Sequence, residues 1–197
     1  MSFEELNMKD YEITTSYPVI TTEKDSGIVP DLIEAYAGNS GEFTASTQYI
    51  YQSFIVKPNA IYKGLYAILE RISIKEMHHL EILSQLLLAQ GINPKFCRYI
   101  DQNLSLCNPW STNQIKYNTN VKEFLNDNIL LEEKAIAEYM QIIEKSTSNN
   151  IKEVIARIIE DEKAHLKIFH KLLEILQNSE KEKKRENEKE KEKEKIN

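Results

Sequence analysis

The chain has 197 residues, 41% hydrophobic and 28% charged, with five Gly, five Pro and two Cys. This length fits one domain with tails, and the scarcity of turn-formers points to helices rather than a sandwich or barrel. A net charge of −6 excludes the basic face of a nucleic-acid binder, and two cysteines exclude a disulfide framework or a four-cysteine metal centre.

No apolar run reaches the roughly 18 residues of a membrane span, and the N-terminal MSFEELNMKD lacks the apolar core of a signal peptide. A soluble, cytoplasmic protein is therefore expected. Residues 1–29 hold the β-branched, turn-rich stretch TTSYPVITTEKDSG, read as an extended arm on the domain or as a loose leader. Residues 30–178 are read as four amphipathic helices, an all-α bundle. The first runs from Pro30 to Val56, with Pro30 suited to a first turn and Gly38 and Gly41 marking close backbone packing. The second runs from Ala60 to Gln90, where Gly91 is a C-cap.

Residues 92–120 form a long connection holding Cys97, Cys107 and the single Trp, Trp110. Such a length suits a crossover, which lets the second and third helices run parallel. Without a CxxC spacing, the cysteines are read as structural thiols, and Trp110 as the anchor of the crossover. The third helix runs from Val121 to Lys145 and the fourth from Ile151 to Gln177. Residues 179–197 alternate Glu and Lys with no apolar side chain before Ile196, and are read as a solvated, frayed helix or a disordered chain.

The informative anomaly is polar. On the second helix the apolar stripe Leu65, Ile68, Leu69, Ile72 continues through Glu76 and His79 to Leu83 and Leu86. On the fourth, Ile151, Ile155, Ile158 continue through Glu162 and His165 to Phe169 and Leu172. A carboxylate on a buried stripe needs a strong partner, and a divalent metal is one. Spacing of i, i+3 puts carboxylate and imidazole on one face. The other two helices carry a matching element: Glu42, Ala45, Tyr49 and Glu132, Ala135, Tyr139. The chain is thus an internal duplication of E-x-x-A-x-x-x-Y followed by E-x-x-H. Facing one another, the two halves bring four carboxylates and two imidazoles together, the ligand set of a di-iron or di-manganese bundle. Glu42 and His79 are expected to hold one ion, Glu132 and His165 the other. Glu76 bridges, and Glu162 bridges or shapes the site. Tyr49 and Tyr139 donate to ligating carboxylates. Glu133 is the rival to Glu132, and the repeat spacing favours Glu132. His78, His170, Glu34, Glu81, Glu138 and Glu160 are read as solvated.

These residues resemble the ferritin-like superfamily, and within it the manganese catalases and their shorter spore-coat relatives. GEFTASTQYIYQSF (Gly41 to Phe54) looks like their first ligand helix, KEMHHLEIL (Lys75 to Leu83) like their second, and PWSTNQIKY (Pro109 to Tyr117) like their Trp-containing loop. Rubrerythrins and bacterioferritins are more distant likenesses. Leu131 stands where the catalases often carry an Arg. The resemblance covers residues 30–177 and implies a ferritin-like four-helix bundle with two manganese or two iron ions. It further implies a homo-oligomer acting on hydrogen peroxide or dioxygen, with Glu76 and Glu162 as catalytic residues. The competing expectations are iron oxidation and storage, and a structural spore-coat protein with a vestigial site.

Overall fold

The computed structural model describes residues 2–99 and 106–196. Met1 of the arm, residues 100–105 of the crossover and Asn197 of the tail lie outside the described residues. The helices are α1 (Val29–Ala37), α2 (Glu42–Val56), α3 (Lys63–Ala89), α4 (Val121–Lys145) and α5 (Asn149–Ile196). In α4 the bounds are those predicted, because the Asn120 side chain accepts from the N–H groups of Lys122 and Glu123. At the end of α3, Gly91 takes a φ of 83°, and the N–H of Ile92 returns to the Leu87 carbonyl. This is the glycine-capped ending that the sequence signals.

The predicted first helix is two helices. At Gly38 and Gly41 the backbone is extended. A Cβ on Gly41 would lie 2.6 Å from the Glu34 carbonyl oxygen and 2.7 Å from that of Ala35. The missing side chain lets the chain fold back on α1, so close packing and helix break are the same feature. Gly41 becomes the N-cap and Glu42 the first residue of α2.

The tail takes the helical one of its two expected states. It continues α5 as one helix of 48 residues, exposed over 180–192. No Gly or Pro follows Gln177, and Glu and Lys are good helix formers, so nothing stops the helix where its apolar face ends.

The crossover contains a two-stranded antiparallel hairpin, β1 (Cys97–Tyr99) and β2 (Cys107–Pro109). Cys97 and Cys107 are not free thiols: a disulfide joins them, with their Cα atoms 5.7 Å apart. Only the hairpin register brings the two together, and no local spacing announces it. Trp110 anchors the crossover as expected, donating from Nε1 to Thr44 Oγ1 at 2.9 Å and packing edge-on against Phe43.

Inside the bundle α2 packs on α3 and α4 on α5. Two apolar clusters form the core. One takes Leu80 to Leu87 of α3, Tyr139 and Ile142 of α4, Ile151 to Ile159 of α5, and α1. The other takes Leu65 to Ile72 of α3, Val121 to Ile129 of α4, Ile168 to Leu176 of α5, and Ala45 to Val56 of α2. Along the chain α3 and α4 run from the second cluster to the first, while α5 runs back. The crossover therefore makes α3 and α4 parallel, as its length predicted. The arm lies on the domain: Asp25 accepts from Ser146 Oγ and the Thr147 N–H, and the Thr21 N–H donates to Asn150. Among the described residues, no helix is long and apolar enough to cross a membrane.

Candidate metal centre

Between the two apolar clusters lies a polar layer. Glu42, Glu76, His79, Glu132, Glu162 and His165 meet there, and none is more than 5% exposed. Apolar residues flank Glu76, His79, Glu132, Glu162 and His165 on their helices and turn them inward, while Glu42 opens α2, so the stripes seen in sequence become the walls of a buried site. The six residues form two groups: Glu42, Glu76, His79 and Glu162, and Glu76, Glu132, Glu162 and His165. Within each group one ligand atom from every residue lies within 4.8 Å of the others. Glu76 and Glu162 belong to both.

The carboxylates of those two divide between the imidazoles. His79 Nδ1 is 2.8 Å from Glu76 Oε2 and 2.8 Å from Glu162 Oε1. His165 Nδ1 is 2.8 Å from Glu76 Oε1 and 3.1 Å from Glu162 Oε2. Glu42 reaches only the His79 side, at 3.7 Å, and Glu132 only the His165 side, at 3.9 Å. The outer carboxylates are held from across the bundle. Tyr49 of α2 donates to Glu132 of α4 at 2.6 Å, and Tyr139 of α4 donates to Glu42 of α2. Both tyrosines are buried, so each phenol must find an acceptor, and the duplication supplies it in the opposite half. Glu133 is exposed, which leaves Glu132 as the inward residue.

The charges explain how these groups coexist in a buried layer. Burial raises the carboxyl groups of Glu42 and Glu132 well above their ordinary value, and the neighbouring carboxylates of Glu76 and Glu162 add to this. Burial acts the same way on Glu76 and Glu162, but the imidazoliums of His165 and His79 outweigh it and lower both. Burial lowers the two histidines, and this too is outweighed. Glu162 raises His79 well above its ordinary value, and Glu76 with Glu162 pushes His165 up to about 10. The imidazoles and the two shared carboxylates thus favour one another's charged forms.

The donor set fits two divalent cations. Four carboxylates balance their charge, and oxygen with imidazole suits manganese or iron. Glu76 Oε1 and Glu162 Oε1 are buried and make no hydrogen bond, although each faces an imidazole nitrogen. Buried orphan oxygens in the middle of a carboxylate–imidazole cluster are what an ion would satisfy.

Sequence reasoning missed the groups behind the ligands. Asp161, 2% exposed, accepts from His79 Nε2 at 3.2 Å and from the Tyr17 hydroxyl, and forms an ion pair with Arg157, whose Nη1 lies 2.9 Å away. Burial opposes its charge, but these donors outweigh that and hold its carboxyl below the usual range. A carboxylate on the far nitrogen of a ligating imidazole fixes the ring and its tautomer. Asp161 falls beside the apolar stripe, and its only sequence signal is the i, i+4 spacing from Arg157. Also missed was a buried amide network, in which Gln48 and Gln52 donate to Asn128 and the Lys116 N–H ties the crossover to Gln48. Glu34 and Glu138, read as solvated, are half-buried and bound to Arg98 and Ser40 respectively. His78 and His170 are exposed, as expected.

Known proteins resemble this chain in sequence and fold. A family model for manganese-containing catalases matches residues 8–96, and a rubrerythrin model matches residues 123–196. Protein CotJC of Bacillus subtilis is 25% identical over 182 residues, covering 85% of this chain and 94% of that protein. A probable manganese catalase of Clostridium acetobutylicum is 26% identical over 160 residues, covering 74% of this chain and 69% of the relative. Among solved structures, the manganese catalase KatB from Anabaena superposes with a TM-score of 0.69 at 24% identity, over 84% of this chain and 80% of KatB. The bacterioferritin of Desulfovibrio desulfuricans, which has a diiron site, superposes with a TM-score of 0.62 at 20% identity, over 79% of this chain and 86% of that one. The chain has the ferritin-like helical bundle fold, and in sequence it resembles the manganese catalases and CotJC.

Proposed function

We propose that the chain is a dinuclear metal oxidoreductase that holds two manganese or two iron ions and disproportionates hydrogen peroxide. The observation that carries this is the pair of four-donor groups sharing Glu76 and Glu162. The likeness to manganese catalases supports peroxide as the substrate. When bound, the metal pair would supply Lewis acidity and the electrons for peroxide redox chemistry.

The chain's own residues do the rest. Glu42 with His79, and Glu132 with His165, would each hold one ion, and Glu76 and Glu162 would reach both. These two shared carboxylates stand where peroxide would react and are assigned to catalysis. Tyr49 and Tyr139 fix the outer carboxylates by donating to them. The flanking apolar clusters keep bulk water away, which protects the buried charges. One cavity of about 110 Å³ reaches His165, lined by Arg71, Lys75 and Asp161 and closed by Tyr11 and Glu12 of the arm. Its volume accommodates a molecule of the size of peroxide or dioxygen.

The test is an oxygen electrode with manganese-loaded protein. One dioxygen is expected for every two peroxides consumed, with the activity lost on chelation and restored by manganese. Fully loaded protein that evolves no more oxygen than free manganese would overturn the catalase assignment. Oxidation of added ferrous iron at the expense of dioxygen would instead assign the same ligands to iron handling.

A further inference from the structure

The duplication that builds the site is symmetric in its ligands and asymmetric behind them. Aligning Glu76 with Glu162 and His79 with His165 also aligns Arg71 with Arg157, but it pairs Lys75 with Asp161. The residue before the shared glutamate is therefore basic in one half and acidic in the other. Behind His79, Asp161 accepts from Nε2 at 3.2 Å. Behind His165, no described residue hydrogen-bonds Nε2, and the ring borders the 110 Å³ cavity with Arg71 and Lys75.

On the acidic side the arm inserts Tyr17. Its hydroxyl donates to the same Asp161 oxygen that accepts from His79. Its ring is held over the Arg157 guanidinium, 4.4 Å from the centroid, with the Lys75 ammonium 5.8 Å away. The edges of His78 and His79 close the pocket at 5.2 and 6.3 Å. Arg157 also donates from Nε to the Thr15 carbonyl at 2.7 Å, which fixes the arm just before the ring. Tyr17 is thus joined, through one carboxylate oxygen, to a single one of the two imidazoles.

Building on the dinuclear assignment, we propose that Tyr17 is a positioning residue for the ion on the His79 side alone. It holds Asp161 in the orientation that fixes the His79 ring with Nδ1 towards the site. The arm is then part of the metal centre, and the two ion positions are unequal: behind His79 stands the Asp161–Tyr17 pair, and behind His165 the cavity that arm residues also line. Outer partners of a ligating histidine commonly contribute 10- to 100-fold in metal affinity. Loss of the Tyr17 hydroxyl is expected to weaken one ion about tenfold and spare the other.

The experiment uses the full chain and its Tyr17→Phe variant, which keeps the ring and its cation contacts. Mn(II) is titrated into metal-free protein, and the free ion is counted by its electron paramagnetic resonance signal. His79→Ala, run alongside, identifies the binding constant that belongs to the His79 side. The expected result has three parts: that constant weakens about tenfold in Tyr17→Phe, the other stays within about twofold, and the melting point of the metal-free protein does not move. Two unchanged constants would overturn the inference while leaving the dinuclear site intact. Equal weakening of both, with a lower melting point, would overturn it by making Tyr17 a general packing residue. A wild-type chain that binds no metal would overturn the dinuclear assignment, and this inference with it.

Discussion

Replacing Glu76 by Ala is expected to abolish binding of both ions, lowering each affinity by more than about 100-fold, beyond the range that outer-sphere partners reach. Glu76 offers Oε2 to the His79 side and Oε1 to the His165 side, at 2.8 Å from each imidazole. Its loss removes a donor from both groups at once. Glu42→Ala and Glu132→Ala are the internal controls, because each carboxylate serves one group and each variant should retain one ion. The Glu76 variant is expected to stay folded, since the apolar clusters on either side of the polar layer do not involve it. Metal content and a circular dichroism melt on the same samples separate the two effects. Two ions retained in a folded Glu76→Ala protein would remove the bridging assignment.

Loading the site is also expected to release protons near neutral pH, because metal ligands must shed theirs. In the metal-free core Glu162 raises His79, and Glu76 with Glu162 pushes His165 up to about 10. Burial, together with the same two carboxylates, raises the Glu42 and Glu132 carboxyls. The sign follows: protons and metal compete for the same groups, so affinity rises with pH and acid strips the metal. Calorimetry in buffers of different ionisation enthalpy counts the protons. A release near zero would mean that the buried cluster is charged in some other way.

The ligand helices were legible because burial leaves a periodic trace. Glu76 and His79, and Glu162 and His165, occupy stripe positions that only a compensated polar group can take, and the same pattern occurs twice. The six residues converge for that reason. The start and end of α4 and the end of α3 were legible from Asn120 and Gly91, whose side-chain chemistry is local. The misreadings share the opposite cause. Gly38 and Gly41 were visible as glycines, but only contact with the Glu34 and Ala35 carbonyls shows that they break the helix. Cys97 and Cys107 meet through a hairpin register that no short-range pattern specifies. Asp161 and Tyr17 lie 144 residues apart and off the main stripe, so their hydrogen bond belongs to tertiary structure alone. The helical continuation of α5 had no apolar period to announce it, only the propensity of Glu and Lys.

The account rests on two ions per chain, and metal content tests it most directly. The protein is purified without chelator, reconstituted with manganese or iron, desalted and measured by mass spectrometry. The two overlapping donor groups predict two ions per chain, buried between the apolar clusters and slow to leave. A folded protein that retains none after reconstitution would contradict the account.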